Sequence, residues 1–567
     1  MEIITVNLNR CIGCNACMRV CPVKDACTVK ITPEGKTVVG INSEKCINCG
    51  QCIQACTHNA RDYVDDYEDF IEDMYTKKGQ VSLLVDPSVK VAFKDVWQDV
   101  LRWFYTQGIR KIYDVSFGAE ICTWAHLRAF STHTIDKVIA QPCTAVVNYI
   151  EKHNPNLISR LSPVHSPADC MAIYAKNFLN DPADFAYFGP CIAKKADFED
   201  TGIIKYNVTF NRMKDYFEKH KITFSSTGQG STFEFSHKQG LMGSIYSQPG
   251  GMRDNLLDQK SGLNIAVCHG PHSAYDALIN YDSQDETELA DVFEIWGCHN
   301  GCNAGLGIGD GVTQASIAKV MDITRKDAEK RSTALFINRK EKLYKDFDKE
   351  LTLNTFMREY IPKLRFVPNP SESDLNNIYN SMCKTRPEDR NINCGACGYK
   401  TCKEMACSIY RKTNIKENCI FYIKNLPQNE SAQTAEIRRV VYEISVILEQ
   451  HVPILTESVK SIRKEAVSIF TNNKKTAEAA QTINSVISQM IEVCANPKGI
   501  SHETLNEICS TLDLIRKILL NLEKSVTKNS ESGYSIDKSA TSVENITINI
   551  NELLARVSKQ NHTDIKK

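Results

Sequence analysis

Two cysteine-rich stretches near the start of the chain, CIGCNACMRVCP (11–22) and CINCGQCIQAC (46–56), share one spacing. In each, two-residue spacers separate three cysteines and a fourth follows after three more residues, so the second stretch repeats the first. Two-residue spacers let three thiolates converge on one iron–sulfur cube, while the fourth thiolate ligates the other cluster. The repeats therefore predict two 4Fe–4S clusters with crossed ligation.

The crossed spacing gives each cluster a ligand set. One set is Cys11, Cys14, Cys17 and Cys56, and the other is Cys46, Cys49, Cys52 and Cys21. Zinc ribbons are the alternative, but a zinc site needs four ligands and no such crossing. TVKITPEGKTVVGI (28–41) predicts a hairpin between the repeats. Residues 1–60 thus resemble an α+β, bacterial two-cluster ferredoxin, with Thr57 in place of the usual proline.

The composition indicates a multidomain globular protein that works in a reducing compartment. The chain has 567 residues, 24 cysteines, and 68 basic against 68 acidic residues. A zero net charge argues against nucleic-acid binding. We expect a cytoplasmic protein with no membrane span, because no apolar run is long enough and MEIITVNLNR lacks a signal pattern. Clustered cysteines there are more often metal ligands than disulfides.

A second motif follows a stretch rich in Pro, Ser and Asn (366–392), which we interpret as a linker. The motif spaces its cysteines as C-x2-C-x4-C-x16-C, and the ligands are Cys394, Cys397, Cys402 and Cys419. The segment after the third cysteine has a helical pattern. Residues 393–420 are similar to the small, mainly helical 4Fe–4S domain attached to several redox proteins. A structural zinc site is the alternative.

Residues 80–365 have the pattern of an α/β domain. Five apolar segments predict strands, and longer segments of helical period lie between them. The five are VSLLVDP (81–87), KIYDVSFG (111–118), FAYFGPC (185–191), NIAVCHG (264–270) and VFEIWGC (292–298). Several run directly into loops that carry glycine or cysteine, where open α/β sheets place their sites.

Three segments of this domain carry a dispersed cysteine set. They are QPCTAVVNYIEKHNPNL (141–157), FGPCIAKKADF (188–198) and EIWGCHNGCNAG (294–305). In this order they resemble the signatures of the FeFe-hydrogenases, roughly T-S-C-C-P-x-W, M-P-C-x-x-K-x-x-E and E-x-M-A-C-x-x-x-C-x-x-G-G. Residues 1–365 are covered, because that family places a ferredoxin module at the same position.

The resemblance implies an H-cluster, a 4Fe–4S cube joined by one thiolate to a diiron unit with CO and cyanide ligands. Its cube would be held by Cys143, Cys191, Cys298 and Cys302, with Cys302 as the bridge. Lys194 matches the lysine that hydrogen-bonds one cyanide, a charge-assisted contact. Pro87 and Ser88 match the loop that contacts the other cyanide.

The chain departs from the family at the proton relay. Pro142 stands where working enzymes carry a proton-passing cysteine. Trp296 and Gly189 replace two motif methionines, and Asp197 stands where the pattern has glutamate. Asp86 takes a position usually held by alanine. A positioned proton-transfer group contributes about 10²–10⁴-fold in rate, so we expect a slow catalyst.

Two further residues are candidates for proton transfer through the resemblance. Ser162 matches a serine of the family's proton path, and alignment on FGAE (117–120) puts His126 near the position of its glutamate. A water chain or His126 would have to replace the missing relay.

The segment 435–560 predicts an all-α tail. Apolar residues recur at steps of three and four, as in a coiled-coil seam or a bundle, and no ligand cluster occurs there. The most regular runs are Ile437, Val440, Val441, Ile444 and Ile447, then Leu512, Ile515, Leu519 and Leu522. The tail is the expected site of self-association or of a signalling partner.

The sequence as a whole resembles the family's sensory branch, since it keeps the cluster ligands, loses the relay and adds two C-terminal segments. We interpret it as a hydrogenase-type oxidoreductase that reversibly and slowly activates hydrogen, as a hydrogen or redox sensor. Its reactants would be hydrogen and protons, with a redox partner such as ferredoxin. One alternative is an ordinary ferredoxin-dependent hydrogenase with a rerouted proton path. Another is a non-catalytic electron-transfer or scaffold protein that lacks the diiron unit.

Overall fold

The structure, a computed structural model, describes residues 2–140, 142–224, 233–260, 262–334, 337–363 and 367–425, together with Thr482, Ser485 and Lys517. The chain divides into two compact units, Met1–Lys30 with Lys36–Leu426 and Ile31–Gly35 with Pro427–Lys567. In the second unit, Ile31–Gly35 form a turn in which the Gly35 amide donates to the Thr32 carbonyl. The predicted tail helices (435–560) lie outside the described residues. All features below belong to the first unit unless stated.

The N-terminal module is built from two short helices and two small sheets. Its elements are β1 (Ile4–Val6), α1 (Ala16–Val20), β2 (Cys27–Ile31), β3 (Thr37–Ile41), α2 (Gln51–Gln54) and β4 (Arg61–Tyr63). Strands β2 and β3 form the expected hairpin, and β1 pairs antiparallel with β4. Each helix begins inside one cysteine repeat, so the two halves follow the sequence duplication.

The central domain alternates strands and helices. Its strands are β5 (Val81–Val85), β6 (Ile112–Asp114), β7 (Val138–Ile139), β8 (Asp184–Gly189), β9 (Tyr206–Thr209), β10 (Ile265–His269), β11 (Val292–Trp296), β12 (Thr333–Ala334) and β13 (Ile337–Asn338). Its helices are α3 (Tyr67–Thr76), α4 (Val89–Phe93), α5 (Trp97–Gln107), α6 (Val115–Ser131), α7 (Thr144–His153), α8 (Pro167–Asn177), α9 (Lys194–Thr201), α10 (Phe210–Lys219), α11 (Gly251–Gln259), α12 (Ser273–Tyr281), α13 (Gln314–Ser332) and α14 (Arg339–Glu350). All five predicted strands are present.

Two parallel sheets form the framework of this domain. One has the order β6-β5-β8-β9 and the other the order β10-β11-β7. Strand β5 is buried at every position, and so is β11. Parallel strands covered by helices on both faces need such continuous apolar runs. The predicted α/β class is therefore confirmed for this domain.

The C-terminal part of the unit contains more helix than expected. It comprises α15 (Glu372–Ser381), α16 (Pro387–Arg390), α17 (Cys402–Tyr410) and α18 (Ile420–Lys424). The interpretation of 366–392 as a linker is wrong for most of its length. Ser371 and Asp374 form a capping box at the start of α15, and Leu375 and Tyr379 are buried against α17. Burying these side chains stabilises the helix despite its polar composition.

Candidate functional site

The four dispersed cysteines of the central domain follow strands of both sheets. Cys191 comes two residues after β8, Cys298 two residues after β11, and Cys143 is the N-cap of α7, after β7. Cys302 lies in the short 3-10 turn Gly301–Ala304. Because parallel strands present their carboxyl ends at one edge, these loops meet there.

A backbone contact joins two of the cysteine loops, since the Gly297 amide, next to Cys298, donates to the Cys143 sulfur at 3.4 Å. Burial, followed by the nearby Cys143 thiol, raises the pKa of Cys191 to about 11. Burial, Cys143 and Cys191 raise the pKa of Cys298. Burial and then Asp86 raise the pKa of Cys302, with further contributions from the other three thiols. Such a group of half-buried thiols is suited to a metal centre that holds them as thiolates.

Two glycines after Cys302 allow the backbone to approach this group. A Cβ atom at Gly305 would lie 2.6 Å from the Pro190 carbonyl oxygen, and one at Gly307 would lie 2.8 Å from it. The Gly307 amide donates to the same oxygen. The loop that carries Cys302 is thereby fixed against the loop that carries Cys191.

A small cavity of about 40 Å³ lies beside Cys302. Its walls include Pro87, Pro142, Lys194 and Trp296. The volume holds roughly two or three water molecules. Asp86 also lines the cavity, but its carboxyl accepts hydrogen bonds from Ser88 and Tyr187. The cation of Lys194 is therefore the wall group suited to an anionic ligand.

Lys194 is held by two buried ion pairs that share one carboxylate. Its Nζ lies 2.6 Å from Asp197 Oδ2, and Arg358 Nη1 lies 2.6 Å from Asp197 Oδ1. Burial alone would lower the pKa of Lys194, but Asp197 outweighs it and raises that pKa. Lys194 and Arg358 in turn hold the pKa of Asp197 well below its usual range. The lysine therefore remains charged at the cavity wall.

The two candidates that follow β5 are placed differently. Pro87 lines the cavity, whereas the amide and the hydroxyl of Ser88 both donate to Asp86 Oδ1. Tyr187, which the sequence reasoning missed, donates its hydroxyl to Asp86 Oδ2 at 2.7 Å. Its ring occupies the space of a side chain at Gly189, since a Cβ there would lie 2.1 Å from the ring. The missing methionine is thus replaced by a neighbouring phenol.

The two candidates for proton transfer are in contact. His126 Nε2 lies 2.7 Å from Ser162 Oγ, and both residues are fully buried. The other ring nitrogen, Nδ1, lies 2.8 Å from the Cys122 carbonyl oxygen and 3.8 Å from Cys122 Sγ. That sulfur accepts a hydrogen bond from the Tyr246 hydroxyl at 3.6 Å. Tyr246 lines the cavity. The sequence had no signal for Cys122 or Tyr246, whose contacts cross about 120 residues.

Cys122 has an environment that favours its thiolate. Burial opposes ionisation, but the hydrogen bond from Cys170 and the charge of His126 hold the pKa of Cys122 well below its usual value. Burial and the Cys122 thiolate raise the pKa of Cys170.

The ferredoxin-like cysteines have the donors that cluster thiolates need. Backbone amides of Val39, Asn48 and Ala60 lie 3.4 Å from the sulfur atoms of Cys11, Cys46 and Cys56. In the described part of the chain, no three His, Cys, Asp or Glu side chains are arranged to hold a single metal ion.

Arg61 is a buried cation that the sequence reasoning did not single out. Its guanidinium interacts with Cys52 and with Cys17, one ligand from each ferredoxin set. Its Nη2 donates to the Val39 and Gly40 carbonyls, while Nη1 is buried without a hydrogen-bond partner among the described residues. This unpaired N–H lies between the two ligand sets, where an anionic cluster would accept a hydrogen bond from it.

Tyr275 occupies an equivalent position between the second ferredoxin set and the central set. Its buried hydroxyl has no partner among the described residues. Burial raises its pKa, and the thiols of Cys49 and Cys143 raise it further. The orphaned hydroxyl indicates that an acceptor belongs in the space between these cysteines, as a cluster sulfide would.

The C-terminal cysteine motif is also assembled. Cys397, Cys402 and Cys419 are buried, and Cys394 is exposed. Asn393 accepts the Cys402 amide at 2.7 Å, and α17 begins at Cys402 as predicted. The four residues therefore lie on one folded module rather than on a loose segment.

Comparison with known proteins agrees with these features. Residues 79–306 match the family model described as iron only hydrogenase large subunit, C-terminal domain, and residues 3–57 match a 4Fe-4S dicluster domain. None of the curated proteins compared with the sequence matches it.

Solved FeFe-hydrogenases are also similar, at low identity. A structure that reports stepwise H-cluster assembly in HydA(deltaEFG) is 14% identical, with a TM-score of 0.40, and its alignment covers 53% of this chain and 100% of that chain. A variant of HydA1 from Chlamydomonas reinhardtii gives the same four values. No helix in the described ranges is both long and apolar enough to cross a membrane.

Proposed function

We propose that the chain is an iron-only hydrogenase large-subunit-like protein that binds an H-cluster and slowly and reversibly activates hydrogen as a hydrogen or redox sensor. One observation carries the proposal. Four half-buried cysteines follow the strands beside a small cavity that has a charged Lys194 and an unreactive Pro142 in its wall. The cysteines and the lysine fit cofactor binding, and the proline fits slow turnover.

The ligands of the cofactor are proposed by residue. Cys143, Cys191, Cys298 and Cys302 would hold the cube, and Cys302, which lines the cavity, would be the bridging ligand. A diiron unit, when bound, supplies the site at which hydrogen is split or formed. Lys194 then donates a charge-assisted hydrogen bond to an anionic ligand, and Tyr187 and Trp296 exclude bulk water. Pro87 contributes an apolar contact, while Ser88 positions Asp86.

Proton delivery limits the proposed reaction. Pro142 has no ionisable group and cannot donate a backbone hydrogen bond. The chain from Tyr246 through Cys122 and His126 to Ser162 is the observation that favours the alternative, a working hydrogenase with a rerouted path.

The sensor proposal includes partners. Electrons would be exchanged with a redox protein such as ferredoxin through the N-terminal clusters. A conformational or redox signal would pass to a signalling partner, or to a second copy of the chain, through the tail segment 435–560.

Iron analysis tests the proposed set of clusters. Sixteen ligand cysteines in three motifs imply four cubes, hence about 16 iron atoms per chain after anaerobic reconstitution and about 18 after maturation with the diiron unit. A stable preparation with about eight iron atoms and complete cluster spectra would contradict the assignment.

Replacing Arg61 with methionine should lower the reduction potentials of both ferredoxin clusters. Removing a unit charge at roughly 7 Å and an effective dielectric constant of about 20 disfavours the reduced state by ~2.4 kcal/mol, or about 100 mV for one electron. A redox titration followed by electron paramagnetic resonance measures the shift. Arg61→Lys, which keeps the charge, is the control, and equal potentials in both variants would show that the charge is not responsible.

A further inference from the structure

The ligand loops of the C-terminal module and of the first ferredoxin set are bonded directly to each other. Asn15, between Cys14 and Cys17, donates to the Ala396 carbonyl at 3.2 Å and to Asn418 Oδ1 at 2.8 Å. Asn418 in turn donates to the Cys397 carbonyl at 3.4 Å. One buried amide therefore joins the two loops that hold separate sets of thiols.

The surrounding surface is closely packed. A Cβ at Gly398 would lie 2.6 Å from Cβ of Met18, so the residues that follow Cys17 and Cys397 are in contact. The Val29 amide donates to the Thr413 carbonyl at 3.0 Å, and Arg411 pairs with Asp25 at 2.8 Å. The module is thus seated on the ferredoxin fold by backbone, ionic and apolar contacts.

The second ferredoxin repeat makes the corresponding contact with the central domain. Gly50 occupies the position in its repeat that Asn15 occupies in the first, and both have a positive φ, +78° and +59°. A Cβ at Gly50 would lie 3.0 Å from Leu306 and 3.3 Å from Ile192, neighbours of the central cysteines. The internal duplication therefore directs one repeat towards each of the two outer ligand sets.

This arrangement explains why the two equivalent positions carry different side chains. Left-handed backbone favours glycine, and asparagine is the common exception because its short amide bonds locally. Gly50 allows close packing on the central domain, whereas Asn15 uses its amide to bond the added module. The difference between the repeats is explained by the neighbour that each one meets.

We infer that the four ligand sets form one electron-transfer series, in which the C-terminal cluster is the terminus opposite the H-cluster. The series begins at the C-terminal set, which includes Cys394, and continues to the first ferredoxin set, which includes Cys11. It then passes through the second ferredoxin set, with Cys46, to the central set, with Cys143. Electron tunnelling falls steeply with distance, so contacting ligand loops set the route. The inference rests on the proposed loading of these sites with clusters.

The electron balance is simple. Oxidation of one hydrogen molecule releases two protons and two electrons, and each electron reduces the C-terminal cluster in turn. A one-electron iron–sulfur carrier reoxidises it after each step. Reduction of protons runs the same series in reverse.

Asn15→Gly in the full chain tests the inference by magnetic coupling rather than by turnover. It makes the first repeat like the second and relieves the left-handed backbone, so cluster content should stay at the wild-type value. Asn48→Gly is the matched control, because Asn48 has a φ of +60° and stands where the first repeat has Gly13. The fully reduced wild-type protein should show spin–spin broadening between the C-terminal cluster and the first ferredoxin cluster.

The expected result is weaker broadening in Asn15→Gly than in the wild-type protein, because the two ligand loops lose their direct bond, and unchanged broadening in Asn48→Gly. Amide hydrogen exchange across 393–420 should become about tenfold faster in the first variant, since two hydrogen bonds are lost. Gly398→Ala should act similarly through its clash with Met18. Gly395→Ala controls for backbone strain, because Gly395 has a φ of +72° and a Cβ there would lie 3.9 Å from its nearest neighbour, the Tyr399 carbonyl oxygen.

Unchanged broadening in both Asn15→Gly and Gly398→Ala would overturn the inference, as would no broadening in a wild-type protein that carries all the clusters. Either result leaves hydrogen activation standing. Conversely, a protein without CO and cyanide bands but with the predicted coupling would refute the proposed function and retain the series.

Discussion

Replacing Pro142 with cysteine should raise hydrogen turnover by about 100- to 10,000-fold, the contribution of a positioned proton-transfer group. Pro142 lines the same cavity as Lys194 and Cys302, so a thiol at this position faces the proposed reacting centre. It also lies close to the wall residue Tyr246, from which hydrogen bonds continue to Cys122 and His126. Turnover must be compared at equal H-cluster occupancy.

Pro142→Ala is the control for this substitution. It removes the ring and frees the backbone in the same way, but it provides no exchangeable proton. The account expects a small change with alanine and the full increase with cysteine. Equal rates in the wild-type protein and the cysteine variant, with equal occupancy, would show that proton delivery at position 142 is not limiting.

Asp197→Asn should destabilise the central domain by roughly 3–5 kcal/mol, the usual cost of breaking a buried ion pair. Asp197 neutralises both Lys194 and Arg358, and all three side chains are less than 10% exposed. An amide keeps the shape but leaves two buried cations without a counter-charge. Denaturant unfolding, followed by a probe within the central domain, measures the loss.

Asp200→Asn is the matched control. Asp200 also pairs with a lysine, Lys363, but its side chain is 37% exposed, and exposed pairs contribute about 0–1 kcal/mol. The two variants should therefore differ by at least about 2 kcal/mol. A loss in Asp197→Asn no larger than in Asp200→Asn would mean that the buried network does not hold the lysine.

The sequence predicted the features that depend on local pattern. Strands β5, β6, β8, β10 and β11 lie where the apolar runs placed them. Four of the five are buried, and a buried parallel strand needs a continuous apolar segment, whereas β10 is only partly covered. The helix after Cys402 was also found. The linker interpretation failed because the capping box and the three apolar side chains of α15 outweighed a composition that looks like a loop.

Features that depend on contacts between residues far apart in the chain could not be predicted from the sequence. Arg358 lies 161 residues from Asp197, and Tyr187 lies 101 residues from its partner Asp86. Arg61 and Tyr275 follow no motif, and their roles are visible only through orphaned polar atoms between cysteine sets. The resemblance indicated His126 and Ser162 separately, and in the structure the two side chains are hydrogen-bonded to each other.

The central claim is that the four cysteines beside the cavity hold an H-cluster. Infrared spectroscopy of the anaerobically reconstituted and matured protein tests it most directly, because CO and cyanide bound to iron absorb where proteins do not. The account predicts bands of both ligands that shift when hydrogen is added and that disappear in Cys302→Ser. A protein with a full complement of 4Fe–4S clusters and no such bands after maturation would contradict it.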